Sequence, residues 1–243
     1  MSSAPEFSVI VPFYNEEGCV GGLLGEVRKM FDPMGADYEV IAVDDGSADA
    51  SRAEVVALAA GWPELRVVAF SRNRGQAAAL LDGMRVAQGK LLVTMDADGQ
   101  NDPADVVRLI EALRAGGADM VCGVRAERQD SWLRRKMSRV ANAVRERILW
   151  DGVRDSGCAL KVFRAEVVDA FIPIRTLYSF MPALAVAAGF KVQELTVHHR
   201  ARETGVSKYG LGVMLWLPLV DMLGVWWFTR RRYARAKPEA GLE

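Results

Sequence analysis

Short apolar runs alternate along the chain with stretches of helical spacing, and polar loops separate them. Phe7–Phe13 (F-S-V-I-V-P-F), Tyr38–Val43, Leu65–Phe70 and Leu91–Met95 read as four strands, since runs this short and this apolar suit strands covered on both faces. The intervening spacing predicts helices over Cys19–Phe31, Ala50–Ala60 and Gln76–Gln88. After the fourth strand, Pro103 stands where a first-turn proline is tolerated, and Val106, Val107, Ile110 and Leu113 give one face of a helix over Ala104–Arg114. Asp119–Val124 and Lys191–Val197 read as further strands. Such alternation predicts an α/β fold, a mostly parallel sheet with helices on both faces.

In sheets of this kind ligands gather beyond the carboxyl ends of the strands. Here four of those ends run out into Tyr14–Glu17, Asp44–Ser47, Arg72–Gly75 and Asp96–Gln100. The fourth, D-A-D-G-Q, sets two carboxylates one residue apart with an amide oxygen two further on. Hard oxygen ligands so close suit Mg²⁺ or Mn²⁺, ions that keep waters and share themselves with substrate phosphates. The same residues also suit a solvated turn ahead of a helix. A dinucleotide fold would share this layout, but Gly18, Gly21, Gly22 and Gly25 do not spell G-x-G-x-x-G, and no G-x-x-x-x-G-K-[ST] occurs.

Charge narrows the partners. Among 243 residues, 31 basic and 31 acidic side chains cancel, so no global field points to nucleic acid. Cys19, Cys122 and Cys158 form no C-x-x-C pair, which favours a reducing compartment over disulfides or structural zinc. Met1–Glu6 lacks the basic and apolar regions of a signal peptide.

The ordered pieces V-I-V-P-F-Y-N-E-E, V-D-D-G-S-A-D, R-N-R-G-Q-A-A-A-L-L-D-G, D-A-D-G-Q-N-D-P, G-V-R, D-S-G-C-A-L-K-V-F-R and R-E-T-G-V-S-K-Y together resemble the family-2 glycosyltransferases of GT-A (Rossmann-like) fold. Within them, the resemblance is to polyprenyl-phosphate glycosyltransferases of the dolichol-phosphate mannose synthase type, over roughly residues 7 to 209. It departs from them at Gly99, where the family usually has Leu, and at Gly123-Val124-Arg125, where it often has G-S-R; neither change removes a ligand. The resemblance implies that Pro12, Tyr14 and Glu16 line a nucleotide pocket, that Asp44 reaches the base with Asp45 beside it, and that Asp96, Asp98 and Gln100 hold the metal and donor diphosphate. It also implies that Arg125, Arg134 and Ser138 bind a lipid phosphate, with Arg135 and Arg139 as the one-residue slip, and that Arg202 and Lys208 close over the diphosphate from a loop hinged at Gly205. Asp45 in Asp-Gly-Ser also suits ordinary turn duty. His198 and His199, adjacent at a strand end, point to opposite faces, so a structural or phosphate-contacting role is expected of them rather than a shared metal.

Two stretches point to a membrane. Over residues 131–150, Trp132, Met137, Val140, Val144, Ile148 and Leu149 fall on one helical stripe, while Arg134, Arg135, Lys136, Arg139, Arg145 and Arg147 fill much of the rest, as in a basic amphipathic interfacial helix. An ordinary solvated helix is the alternative. Leu211–Phe228 is apolar but interrupted by Pro218 and Asp221, and about 27 Å of helix is marginal for a crossing. Arg230-Arg231-Arg232 at its far end would be sent outward by a single crossing, against the positive-inside tendency. A helix or bent pair lying in the cytoplasmic leaflet is therefore expected, with an oligomer interface as the competing account. The chain thus divides into a catalytic domain over 1–209, a membrane-associated or oligomerising segment over 210–234 and a disordered tail over 235–243. The expected function is metal-dependent, inverting transfer of a sugar from a UDP- or GDP-linked donor to a polyprenyl phosphate. The site is the cytoplasmic face of the inner membrane, the setting cell-envelope glycan or lipid A modification, and the enzyme a homo-oligomer, dimer or tetramer. A different lipid or saccharide acceptor, or a non-catalytic nucleotide-sugar or lipid-binding scaffold, are the alternatives.

Overall fold

Alternation along each central strand splits its side chains between two cores. On β1 (Phe7–Phe13), Phe7, Val9, Val11 and Phe13 face one layer and Ile10 the other. The same division holds on β2 (Tyr38–Asp44), where Val40 and Ala42 oppose Ile41 and Val43, and on β4 (Leu91–Thr94), where Leu91 and Val93 oppose Leu92. Runs apolar at every position are thus strands buried on both sides. In a computed structural model describing residues 4–125, 144–200 and 211–232, these strands join β3 (Leu65–Ala69), β5 (Met120–Arg125), β6 (Lys161–Arg164) and β7 (Val192–Val197) in one sheet, ordered β3-β2-β1-β4-β6-β5-β7.

Helices α1 (Val20–Phe31) and α4 (Ala104–Arg114) cover the first face, with Val55 of α2 (Ser51–Ala59) joining the same core. Helices α3 (Gln76–Val86), α5 (Leu177–Ala187) and α6 (Leu211–Arg231) close the second. Strands β1 to β3 wind to one side and β4 lies on the other side of β1, so the order reverses between β1 and β4. A crevice opens beyond strand ends at such a reversal.

The sheet departs from simple alternation at β6, which runs antiparallel between β4 and β5, pairing Thr94 with Lys161 and Met120 with Phe163. Its sequence, K-V-F-R, is only four residues long and opens with a charge, so it gives no strand signal. Lys161 is nonetheless 1% exposed, its ammonium donating to the Cys158 carbonyl. Helix α5 also goes unread in the sequence, since Pro182 inside it reads as a breaker.

The carboxyl-terminal apolar stretch forms one helix rather than a bent pair, running through Pro218 to Arg231. Among the described residues no helix is long and apolar enough to cross a membrane. Met222 and Val225 of α6 are buried in the second core, and Asp221 accepts bonds from the Thr176 backbone N–H (2.9 Å) and hydroxyl (2.6 Å). Asp221 therefore does not merely interrupt an apolar run. It holds the N-terminus of α5 by both donors of Thr176, the residue that precedes its first turn. Of the basic helix expected over 131–150, residues 131–143 lie outside the described residues. Residues 144–149 are helical, and there Arg145 departs from the expected exposed basic face: it is buried in an ion pair with Asp151, and its guanidinium also reaches the Val153 carbonyl.

Replacing Asp221 with Ala will lower stability by about 1–3 kcal/mol, the usual cost of leaving such donors without their acceptor, while Asp221→Asn keeps most of it. Urea midpoints of the two variants measure the difference.

Candidate active site

Four loops at the carboxyl ends of the strands are laced into one rim. After β1, the Asn15 N–H donates to the Ser47 hydroxyl (3.0 Å), the Asn15 side-chain oxygen accepts from the Ala48 N–H (2.8 Å), and the Glu16 N–H donates to Ser51 (2.8 Å). After β2, Asp45 reaches across to the loop after β3, accepting from the N–H groups of Arg74 (2.6 Å) and Gly75 (2.8 Å) and from the Asn73 amide (3.0 Å). Gly46 lets these loops touch, because a Cβ there would lie 2.5 Å from the Arg72 carbonyl carbon and φ is +77°. Gln76, at the start of α3, then donates to Asp96 Oδ1 at 2.6 Å.

The Asp96 loop is itself pinned. Asn101 accepts from the Asp96 N–H (3.0 Å), and Asp98 accepts from the Gln100 N–H (3.1 Å) in an Asx turn. Beyond β7, Asp105 on α4 holds His198 by its N–H (2.6 Å) and its ring, and the Arg200 N–H donates to the Gln100 carbonyl (3.0 Å). These bonds bring His199 Nε2 to 3.5 Å from the Gln100 amide nitrogen. The two histidines do face opposite ways, His198 toward a structural carboxylate and His199 toward the acidic loop.

Electrostatics single out Asp96. Burial, then the neighbouring charge of Asp98, push its carboxyl up to about 6, against the pull of Lys161, Arg125 and the Gln76 bond. Two crowded carboxylates with cations just behind them form a site that a divalent ion would relieve. Among the described residues no group of three or more His, Cys, Asp or Glu stands together for a metal. The oxygen set of Asp96, Asp98 and Gln100 includes an amide, and its hard donors fit Mg²⁺ or Mn²⁺. His199 is a candidate donor that spacing alone does not mark as one. A recess beside Asp96 is lined by Pro12, Gln76, Thr94, Lys161, Tyr178 and Met181.

Asp44 has a different place. Fully buried, it accepts from the Ser47 N–H (2.8 Å) and pairs with Arg52, whose guanidinium also reaches the Phe70 carbonyl (2.9 Å). Asp45 is raised above the ordinary carboxylate range by burial, although the Arg74 and Gly75 N–H groups oppose this. Its three bonds make it the clasp between the second and third loops. Pro12, Tyr14 and Glu16 lie at the end of β1 beside this rim, and Arg125 closes its far side at the end of β5. Arg134, Ser138, Arg202 and Lys208 lie outside the described residues.

Sheet order, crevice and acidic loop together define a GT-A-like α/β fold. The glucosyl-3-phosphoglycerate synthase of Mycobacterium tuberculosis, solved with Mn²⁺ and uridine-diphosphate-glucose, superposes with a TM-score of 0.69 over 91% of this chain and 79% of its own, at 18% identity. The mannosyltransferase PcManGT from Pyrobaculum calidifontis, solved with GDP-Man and Mn²⁺, gives 0.66 over 98% and 67%, at 21%. A family model described as Glycosyl transferase family 2 matches residues 8–171. The undecaprenyl-phosphate 4-deoxy-4-formamido-L-arabinose transferases of Edwardsiella ictaluri and Aeromonas hydrophila are 41% and 39% identical over 206 residues, 84% of this chain. The chain belongs to glycosyl transferase family 2. It spans about 63% of the length of those curated relatives.

The raised Asp96 has a consequence for stability. The folded state holds this proton up to about pH 6 and the unfolded chain releases it near 4, so stability falls as pH rises through that window. Without metal, Asp96→Asn will stabilise the protein at pH 7.5 by about 1–3 kcal/mol, since each tenfold difference in proton affinity between the two states is worth roughly 1.4 kcal/mol. The gain disappears below pH 4, and thermal melts at the two pH values read it.

Proposed function

We propose that the protein is an inverting glycosyltransferase that moves a sugar from a nucleotide diphosphate donor to a polyprenyl phosphate at the cytoplasmic face of the inner membrane. The observation that carries this reading is the recess at the strand ends that the carboxylate of Asp96 and the cation of Lys161 line together, beside the second acid of the loop, Asp98. A donor that brings a metal-bound diphosphate and an acceptor that brings a phosphate would use both. The relatives' names supply the acceptor class, undecaprenyl phosphate. They also make 4-deoxy-4-formamido-L-arabinose one of the sugars to test.

In this reading Pro12, Tyr14 and Glu16 border the nucleotide, with Asp44 and Asp45 shaping the loop that receives it. Asp96, Asp98 and Gln100 would hold Mg²⁺ or Mn²⁺, which neutralises charge growing on the leaving diphosphate when bound. Arg125, with Arg134 and Ser138 by motif spacing, takes the acceptor phosphate, and Arg202 and Lys208 cover the donor. A phosphate monoester carries about −1.5 to −2 charge at neutral pH, so its oxygen attacks once positioned, without a strong base. The new bond joins that oxygen to the anomeric carbon. The old carbon–oxygen bond breaks with its electron pair leaving on the nucleoside diphosphate, and configuration inverts.

Helix α6 supports the membrane setting. Leu219, Val220, Leu223 and Trp227 are exposed on it, and Arg230 and Arg231 stack over Trp226 and Trp227 at 4.9 and 5.3 Å. Aromatic and basic side chains mixed in this way suit a headgroup layer. A role in cell-envelope glycan or lipid A modification, in a dimer or tetramer, accords with it.

The test is incubation with a panel of UDP- and GDP-sugars, undecaprenyl phosphate and Mn²⁺, with the lipid product read by mass. One sugar will be transferred, EDTA will abolish the transfer, and Asp98→Ala will lower it by at least about a hundredfold while lipid binding persists. If no member of the panel yields a glycosylated lipid phosphate, the proposal is wrong.

A further inference from the structure

Arg125 is held in a carboxylate fork. Its Nε donates to Asp155 Oδ2 and its Nη2 to Asp155 Oδ1, both at 2.8 Å, and its own N–H donates to Oδ2 at 3.2 Å. The two side chains are 16% and 9% exposed, so the pair is shielded from water on most sides. Gly157 completes the cradle, because a Cβ there would lie 3.3 Å from Arg125 Nη2. The loop carrying Asp155 is anchored in turn. Glu194 on β7 accepts from the N–H groups of Arg154 (2.7 Å) and Asp155 (3.0 Å) and pairs with the Arg154 guanidinium (3.0 Å). Strands β5 and β7 are parallel neighbours, with Cys122 beside Glu194 and Arg125 beside Val197, so the anchor and the arginine share one rigid frame.

A guanidinium has five N–H donors in one plane, and a bidentate carboxylate fixes that plane while using two of them. An ion pair as shielded as this adds little net stability compared with an apolar pair of the same shape, yet it fixes direction. Arg125 ends β5, and because β4 and β5 both run antiparallel to the β6 between them, it stands at the same edge of the sheet as the acidic loop that follows β4. We propose that Asp155 is a positioning residue that aims Arg125 at the acceptor's phosphate. The inference rests on the acceptor reading given above and adds the group that makes Arg125 selective for a phosphate monoester. Asp155 touches neither the donor nor the reacting atoms.

Binding of farnesyl phosphate and of farnesol to the full chain, measured by calorimetry without donor, separates the two levels. If wild type does not prefer the phosphate, the acceptor reading itself fails, and the inference with it. Given that preference, Arg125→Gln and Asp155→Asn will each weaken farnesyl phosphate by about tenfold to a hundredfold, as when an orienting partner is lost, and leave farnesol unchanged. In the Arg125→Gln background, Asp155→Asn will add less than about twofold, since the two residues act as one unit. Additive losses, or an Asp155→Asn protein that binds as wild type, overturn the positioning role while the acceptor reading stands. An Asp155→Asn protein that keeps phosphate affinity but loses turnover also overturns it, pointing to direct chemistry by the carboxylate. Should Asp155→Asn fail to fold, Asp155→Glu keeps the charge and shifts it by one methylene. Weakened phosphate binding at an unchanged melting temperature supports the proposal, and unchanged binding refutes it.

Discussion

The hydrogen bond from Gln76 to Asp96 joins the first three loops of the rim to the acidic one. Two carboxylates one residue apart repel each other, and a loop free to relax would separate them. Here the loop cannot relax, because Asn101 fixes the Asp96 backbone, Asp98 closes an Asx turn on Gln100, and Gln76 holds the Asp96 side chain from outside. Burial, and then this repulsion, hold the Asp96 carboxyl above its ordinary range, a cost that a bound divalent ion would remove. Each preceding loop supports this one. Asn15 is tied to Ser47, Asp45 to Arg74 and Gly75, and Gly75 opens the helix that carries Gln76. The acidic site is thus a property of the whole strand-end rim rather than of four residues in a row.

Much of this architecture is legible in the chain. Strands buried on both faces leave runs with no polar position, and β1 and α4 have the bounds that the pattern predicts. Asp and Gly at strand ends announce a site because nothing in a buried strand needs them. What stays hidden follows from the same logic. Strand β6 offers four residues and opens on Lys161, a cation buried against a carbonyl, so its pattern is masked by a side chain that only the tertiary structure satisfies. Helical spacing assigns Arg145 to the basic face of an interfacial helix because it counts charges without seeing partners, and Asp151 six residues on is its partner.

The division of labour between neighbouring acids is equally beyond the sequence. Asp44 and Asp45 are adjacent and look alike, yet strand alternation sends one inward to Arg52 and the other across to the third loop. His198 and His199 divide in the same way, one to Asp105 and one to Gln100. In both pairs a single residue of register decides which partner a polar group meets, and for the histidines whether it holds the frame or faces the acidic loop. Motif spelling conveys which residue types are present, and only strand phase conveys which of them work.

Helix α6 carries the same logic to the chain's other end. Its apolar residues do two jobs on different faces. Met222 and Val225 enter the second core, while Leu219, Val220, Leu223 and Trp227 are left exposed. An all-apolar helix would have no preferred rotation between these duties. Asp221 removes that ambiguity, because its carboxylate finds its partners at the start of α5, where Thr176 offers two donors. Turning the helix would strip the Thr176 N–H and hydroxyl of this partner and draw Met222 and Val225 out of the core. The acid that interrupts a hydrophobic segment is therefore what sets which face meets the protein. Since α5 also carries Tyr178 and Met181 to the recess beside Asp96, the orientation of the terminal helix and the wall of the site are fixed by one hydrogen-bonded junction.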